Sequence, residues 1–157
     1  MSFEPAADGL RLTIDDHSRE VVIHLLGELR DELVQAKSSS ITELAPHMKR
    51  LFPTAYHNDE QRNEEYRRLT HADLADSHVS AVDDAIAMLA PQQVFTRGDL
   101  ERFVRAINAM RLVIGTLLDV SEDEPDEVGE NDPTALQREV YDYLGWLLHA
   151  TLDELQT

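Results

Sequence analysis

LERFVRAINAMRLVIGTLL, residues 100–118, decides the fold class. Leu100, Phe103, Ile107, Met110, Ile114 and Leu117 recur in steps of three and four. At 3.6 residues per turn those steps align into one apolar stripe along a helix. Thr96 and Asp99, just upstream, have the spacing of a capping box, which sets the helix start. Arg111 stands inside the stripe, between Ile107 and Ile114. A guanidinium cannot shed its proton, so a buried one requires a carboxylate with good geometry. An ion pair is therefore favoured for Arg111 over the edge of a binding groove. Gly115, one turn on, lets a second helix approach closely.

Weaker versions of the same periodicity run outward in both directions. Val22, Leu26, Leu29, Leu33 and Ala36 predict a helix from about Ser18 to Ala36. KSSSITELAPHMKRLFP reads as a connector with a single helical turn, because Pro46 and Pro53 interrupt continuation. Asn58 or Asp59 caps a short helix through Leu69, and Thr70 with Asp73 resembles a capping box that restarts it. Ala75, Val79, Val82, Ile86 and Leu89 form the stripe of that second piece. Pro133 at a first helical position, after Asp132 as cap, opens a last helix rich in leucine. Near the N-terminus LRLTI alternates like a short strand. The expectation is an all-α fold: one helical bundle of about five helices spanning residues 1–157. A minor two-stranded β patch pairs LRLTI with QVF, and residues 119–132 form an acidic, flexible loop.

Composition removes several function classes. Cysteine is absent, so disulfides, thiolate metal sites and thiol nucleophiles are excluded. The N-terminal residues lack the basic and apolar regions of a signal peptide. No apolar run approaches the roughly 18 residues of a membrane span, so a cytoplasmic protein is expected. The net charge is −17; leaving out the eight acids of residues 119–132 still leaves −9. Such a chain repels phosphate backbones unless basic residues gather locally.

Candidate sites compete with plainer readings. His17 and His24, like His71 and His78, stand seven residues apart. That is two turns, about 10 Å, too far to share one ion without further ligands, so solvated helix faces are expected. Aligning Gly129 with the glycine of a calcium-binding helix–loop–helix places Val128 and Ala135 where ligands belong, and the match fails. No GxSxG, phosphate-binding or dinucleotide-binding glycine pattern occurs. No catalytic residue, metal or cofactor is assigned. On the last helix Tyr143 and Trp146 fall outside the leucine arc, making them candidate interface anchors for a homodimer or another protein.

Four runs, LFPTAY, EYRRLTHADL, AINAMRLVIGTLL and VYDYLGWLL, occur in this order. Together they resemble an actinobacterial family of unknown function, domain of unknown function two-thousand-and-seventeen, over roughly residues 10–155. The resemblance implies a small helical protein, often encoded beside a Clp protease adaptor and sulfur-transfer genes. Some members of that family are described as oxidative-stress transcription regulators with a redox-sensing cysteine pair. This chain has no cysteine, so thiol sensing does not carry over. The matching motif residues are Glu65, Arg67, Thr70, Asn108, Arg111 and Gly115. Glu65 is the expected partner of Arg111 in an interior ion pair. Glu64 and Arg68 form an i, i+4 surface pair of about 0.3–0.5 kcal/mol. The leading expectation is a non-enzymatic regulatory or protein-interaction protein without thiol sensing. A direct DNA-binding regulator, using Arg62, Arg67, Arg97, Arg102 and Arg105, is the alternative, followed by an enzyme of unrecognised type.

Overall fold

The computed structural model describes residues 2–40, 43–52, 60–122 and 133–156. Helix α1 is Asp16–Lys37, α2 Pro46–Lys49, α3 Glu60–Met88, α4 Arg97–Glu122 and α5 Pro133–Leu155. Strands β1 (Ser2–Ala6), β2 (Gly9–Thr13) and β3 (Val94–Phe95) form one antiparallel sheet in that order. The all-α expectation with a minor β patch therefore holds, but the patch has three strands rather than two. Pro5, which has no backbone N–H to donate, masks β1 in the sequence and is tolerated because β1 is an edge strand. Asp8 turns the chain between β1 and β2 with φ 67°. Gly9 is required by close approach, since a Cβ there would lie 2.3 Å from the Phe95 carbonyl oxygen.

The buried face of α1 is Val22, Leu26, Leu29, Leu33 and Ala36, the stripe expected from the sequence. Asp15 caps the helix, its side chain accepting from the Ser18 amide at 3.3 Å. In α4 the buried stripe includes Leu100, Phe103, Ile107, Met110 and Ile114. Phe3, Phe95 and Phe103 meet edge to face, with centroids 5.5 and 5.3 Å apart, and join the sheet to this helix. Helix α1 packs chiefly on α3, and α4 on α5 and α3. No helix among the described residues is long and apolar enough to cross a membrane.

Three expectations are corrected. Helix α3 runs unbroken through Thr70, which is exposed in mid-helix, so the Thr70–Asp73 pair restarts nothing. Neither glycine nor proline lies between Glu60 and Met88, and a continuous backbone ladder outcompetes a local side-chain cap. Helix α4 continues to Glu122, into the segment expected to be a loop; residues 123–132 lie outside the described ones. His71 and His78 do not lie on a solvated face. His71 is buried, bonded through Nε2 to the Ala36 carbonyl at 2.5 Å and stacked on Phe52 at 4.4 Å. His78 Nε2 bonds the Leu51 carbonyl at 3.0 Å. Apolar neighbours at i+3 and i+4, Leu74 and Ala75 for His71 and Ala81 and Val82 for His78, carry both rings inward, and each Nε2 finds a carbonyl, while the buried His71 Nδ1 has no hydrogen-bond partner among the described residues.

Candidate functional site

Helix α4 turns two different faces beside α5. Asn108, Arg111, Leu112, Gly115 and Thr116 follow the i, i+3, i+4, i+7 rule and line one crevice with Arg138, Tyr141 and Asp142 of α5. Met110, Val113, Ile114 and Leu117 line a second, on the other side of α4, with Leu136, Gln137 and Val140 of α5 and residues of α1.

The first crevice, ≈ 380 Å³, is cationic. Arg50, just past α2, completes it. The two histidines of α3 hold the adjoining Leu51 and Phe52, which fixes where Arg50 emerges. Burial pushes the His78 imidazole below its usual range, although its bond to the Leu51 carbonyl pulls the other way. Arg111 lies over the ring of Tyr141, its Cζ 4.6 Å from the ring centre. A Cβ at Gly145 would come within 3.2 Å of the Arg111 Nε, so that glycine leaves room for the guanidinium. Gly115 does the same for Tyr141, whose Cε2 would lie 3.2 Å from an added Cβ. Arg111, Tyr141 and the two glycines thus form one interlocked layer between α4 and α5.

The second crevice, ≈ 460 Å³, has an apolar floor of Leu25, Leu29, Met110, Val113, Ile114 and Val140. Glu28, Asp31 and Glu32 of α1 rim it, and Leu136 at its edge is 70% exposed. Glu28 lies 3.1 Å from His24, and Glu32 lies 3.2 Å from His47.

Of the motif residues expected from the sequence, Asn108, Arg111 and Gly115 come together in the cationic crevice. Glu65 does not join them. It is exposed on α3, so the expected interior pair with Arg111 is not formed. Among the described residues, Arg111 Nε is buried without a hydrogen-bond partner, and aromatic stacking takes the place assigned to a carboxylate. A half-buried cation flanked by a ring avoids the desolvation cost that a full interior ion pair incurs. Thr70 is exposed, and the side chain of Arg67 lies outside the described residues. Tyr143 and Trp146, with ring centres 5.7 Å apart, are half-buried and packed against the core. Burial pushes the Tyr143 phenol above its usual range. The exposed large apolar residues of α5, among those described, are Leu136 and Leu152. Sequence reading missed Arg50, Arg138 and Tyr141; the spacing of Arg138, Tyr141 and Asp142 along one helix face is the signal that was present.

Two of the arginines considered for DNA are held by the protein itself. Arg97 donates to the Leu155 carbonyl at 2.6 Å, closing the end of α5. Arg102 lies 2.7 Å from Asp99 and 3.8 Å from Asp84. Arg105 is exposed; the side chain of Arg62 lies outside the described residues.

The fold and crevices define a helical domain with two chemically opposite clefts flanking a single helix pair. The chain belongs to the family described as Domain of unknown function (DUF2017), whose model matches residues 1–155. No curated protein and no solved structure matches it.

Proposed function

We propose that this chain is a non-enzymatic cytoplasmic regulator that acts by docking a basic, amphipathic helical segment of a partner protein into the α1–α4–α5 groove. The observation that carries this reading is the groove itself: an apolar floor, a wall of Glu28, Asp31 and Glu32, and a solvent-facing Leu136. Apolar residues spaced three and four apart on a partner helix fill such a floor, and its lysines or arginines meet the rim. A second copy of this chain is a poorer occupant. Two-fold pairing through the groove would bring two copies of the same acidic rim together, in a protein of net charge −17. The stress-linked transcription regulation that the family resemblance implies fits a protein acting through such contacts rather than through DNA. The absence of cysteine means that any such regulation runs without a thiol switch.

The test is photo-crosslinking from Gln137, at the groove edge, in native cells, with the crosslinked segment of the partner mapped by mass spectrometry. A basic amphipathic helical segment, lost on Leu136→Asp and on Asp31→Lys, supports the reading. Crosslinks only to a second copy, or crosslinks unchanged by both substitutions, overturn it.

A further inference from the structure

We propose that the solvent face of the α1–α3 pair binds a second copy of this chain, with the two-fold axis running parallel to the two helices. That face is built in layers. Arg30 pairs with Asp83 at 2.5 Å and Lys37 with Asp76 at 2.9 Å. Seven residues forward along α1 match seven back along α3, so the helices run antiparallel in one register. The register sets Val34 level with Val79 and Gly27 level with Ile86, between the two ionic layers and beyond the first. Ile23, Gly27, Arg30, Val34 and Lys37 succeed one another in steps of four and three, which places them on one face of α1. All four charged side chains are at least 41% exposed and Val34 is 49% exposed, so the seam is open to solvent.

Charge selects the occupant. Along the seam α1 supplies the cations and α3 the anions, while Glu28, Asp31 and Glu32 of α1 line the apolar groove instead. A two-fold axis along the seam lays α1 of one copy over α3 of the other at the same level. Arg30 then meets Asp83 of the second copy, Lys37 meets its Asp76 and Val34 its Val79, so the face is its own complement. An axis across the helices would lay α1 on α1 and oppose like charges, which excludes that orientation. The net charge of −17 acts against pairing, but salt screens it beyond about 8 Å under physiological conditions.

Gly27 is the second, independent observation. Glycine weakens the middle of a helix, and a Cβ at this position would meet nothing within 4 Å inside the chain. Gly9, Gly115 and Gly145 each make room for a neighbouring group of the chain, and Gly27 makes room for none. Close approach of a helix from a second copy gives it that role. Size sets the strength. Residues 23–37 of α1 span about 22 Å, and two helices of about 10 Å each give a width of about 20 Å. A face of about 440 Å² on each copy lies at the small end of specific interfaces, so the dimer is weak and reversible.

The experiment is sedimentation velocity of the full chain from about 10 µM to about 1 mM, across which a weak dimer of this kind forms. The wild type should pass from monomer to dimer within that range. Arg30→Asp and Asp83→Arg should each remain monomeric, because each opposes like charges across the two-fold axis. Their equimolar mixture should associate, because the two altered faces complement each other. Gly27→Leu should weaken dimerisation at least about tenfold while its thermal midpoint equals or exceeds that of the wild type, which separates lost pairing from lost folding. A wild type that stays monomeric throughout, a mixture that fails to associate, association unaltered in Gly27→Leu, or association lost only on Leu136→Asp overturns the proposal.

Discussion

The guanidinium of Arg111 stacks on the ring of Tyr141, with 4.6 Å between Cζ and the ring centre, and a glycine on each helix makes room for the pair. Gly115 admits the ring and Gly145 admits the cation. The α4–α5 seam is therefore closed by a cation–π contact where an apolar stripe would ordinarily continue.

Gly145→Ala tests how rigid that layer is. The new methyl would lie 3.2 Å from Nε and 3.3 Å from Nη2, both at the flexible end of a side chain. Arg111 therefore shifts by a few tenths of an ångström, while alanine in a helix gains about 0.8–1 kcal/mol over glycine. The expected outcome is a thermal midpoint unchanged or raised. A loss of more than about 2 kcal/mol would show instead that Arg111 is locked in place.

Glu65→Ala should change stability by less than about 0.5 kcal/mol, because the carboxylate is exposed. Urea denaturation measures this directly. A loss of about 3–5 kcal/mol, the cost of breaking a buried pair, would restore the interior partnership with Arg111.

Thr96→Ala and Thr70→Ala remove the same kind of residue from the same local motif, and they should differ. The Thr96 amide donates to Asp99 at 2.9 Å and the Asp99 amide donates to the Thr96 hydroxyl at 3.2 Å, a reciprocal cap. The bond from the Thr96 amide, and after it the Arg102 guanidinium, holds the Asp99 carboxyl below the usual carboxylate range, against the opposing effect of burial. Losing the Thr96 hydroxyl should cost about 1 kcal/mol. Thr70 is exposed inside α3, where alanine is the better helix former, so its replacement should be neutral or slightly stabilising. Equal effects in denaturant titrations would contradict this contrast.

His78 makes stability depend on pH. Burial lowers its folded-state pKa below the ordinary 6.5, so the unfolded chain binds the proton more readily. Its contribution is fully present above pH 6.5 and is lost as the pH falls through the lower folded value. Thermal melts of the wild type and of His78→Gln, taken from pH 7.5 to 5, should show the larger decline in the wild type. Parallel declines would assign the acid sensitivity to other groups.

The apolar stripes of α1 and α4, the cap at Thr96 and the start of α5 at Pro133 were legible in the sequence because each depends on residues within one or two turns. Helical period and capping are short-range, and nothing distant opposed them at these places. Tertiary structure decided the rest. The Thr70–Asp73 signal yielded to a helix that continues through it, since the capping motif and the unbroken ladder compete for the same backbone groups. His71 and His78 turned inward because Ala36, Leu51 and Phe52, remote in the chain, supplied two carbonyls and a ring. Arg111 was visible as an anomaly in an apolar stripe, but its partner was not. A charge in a half-buried position accepts a carboxylate, an aromatic face or a ligand, and only the packing of α5 placed Tyr141 and Gly145 beside it while leaving Glu65 in solvent.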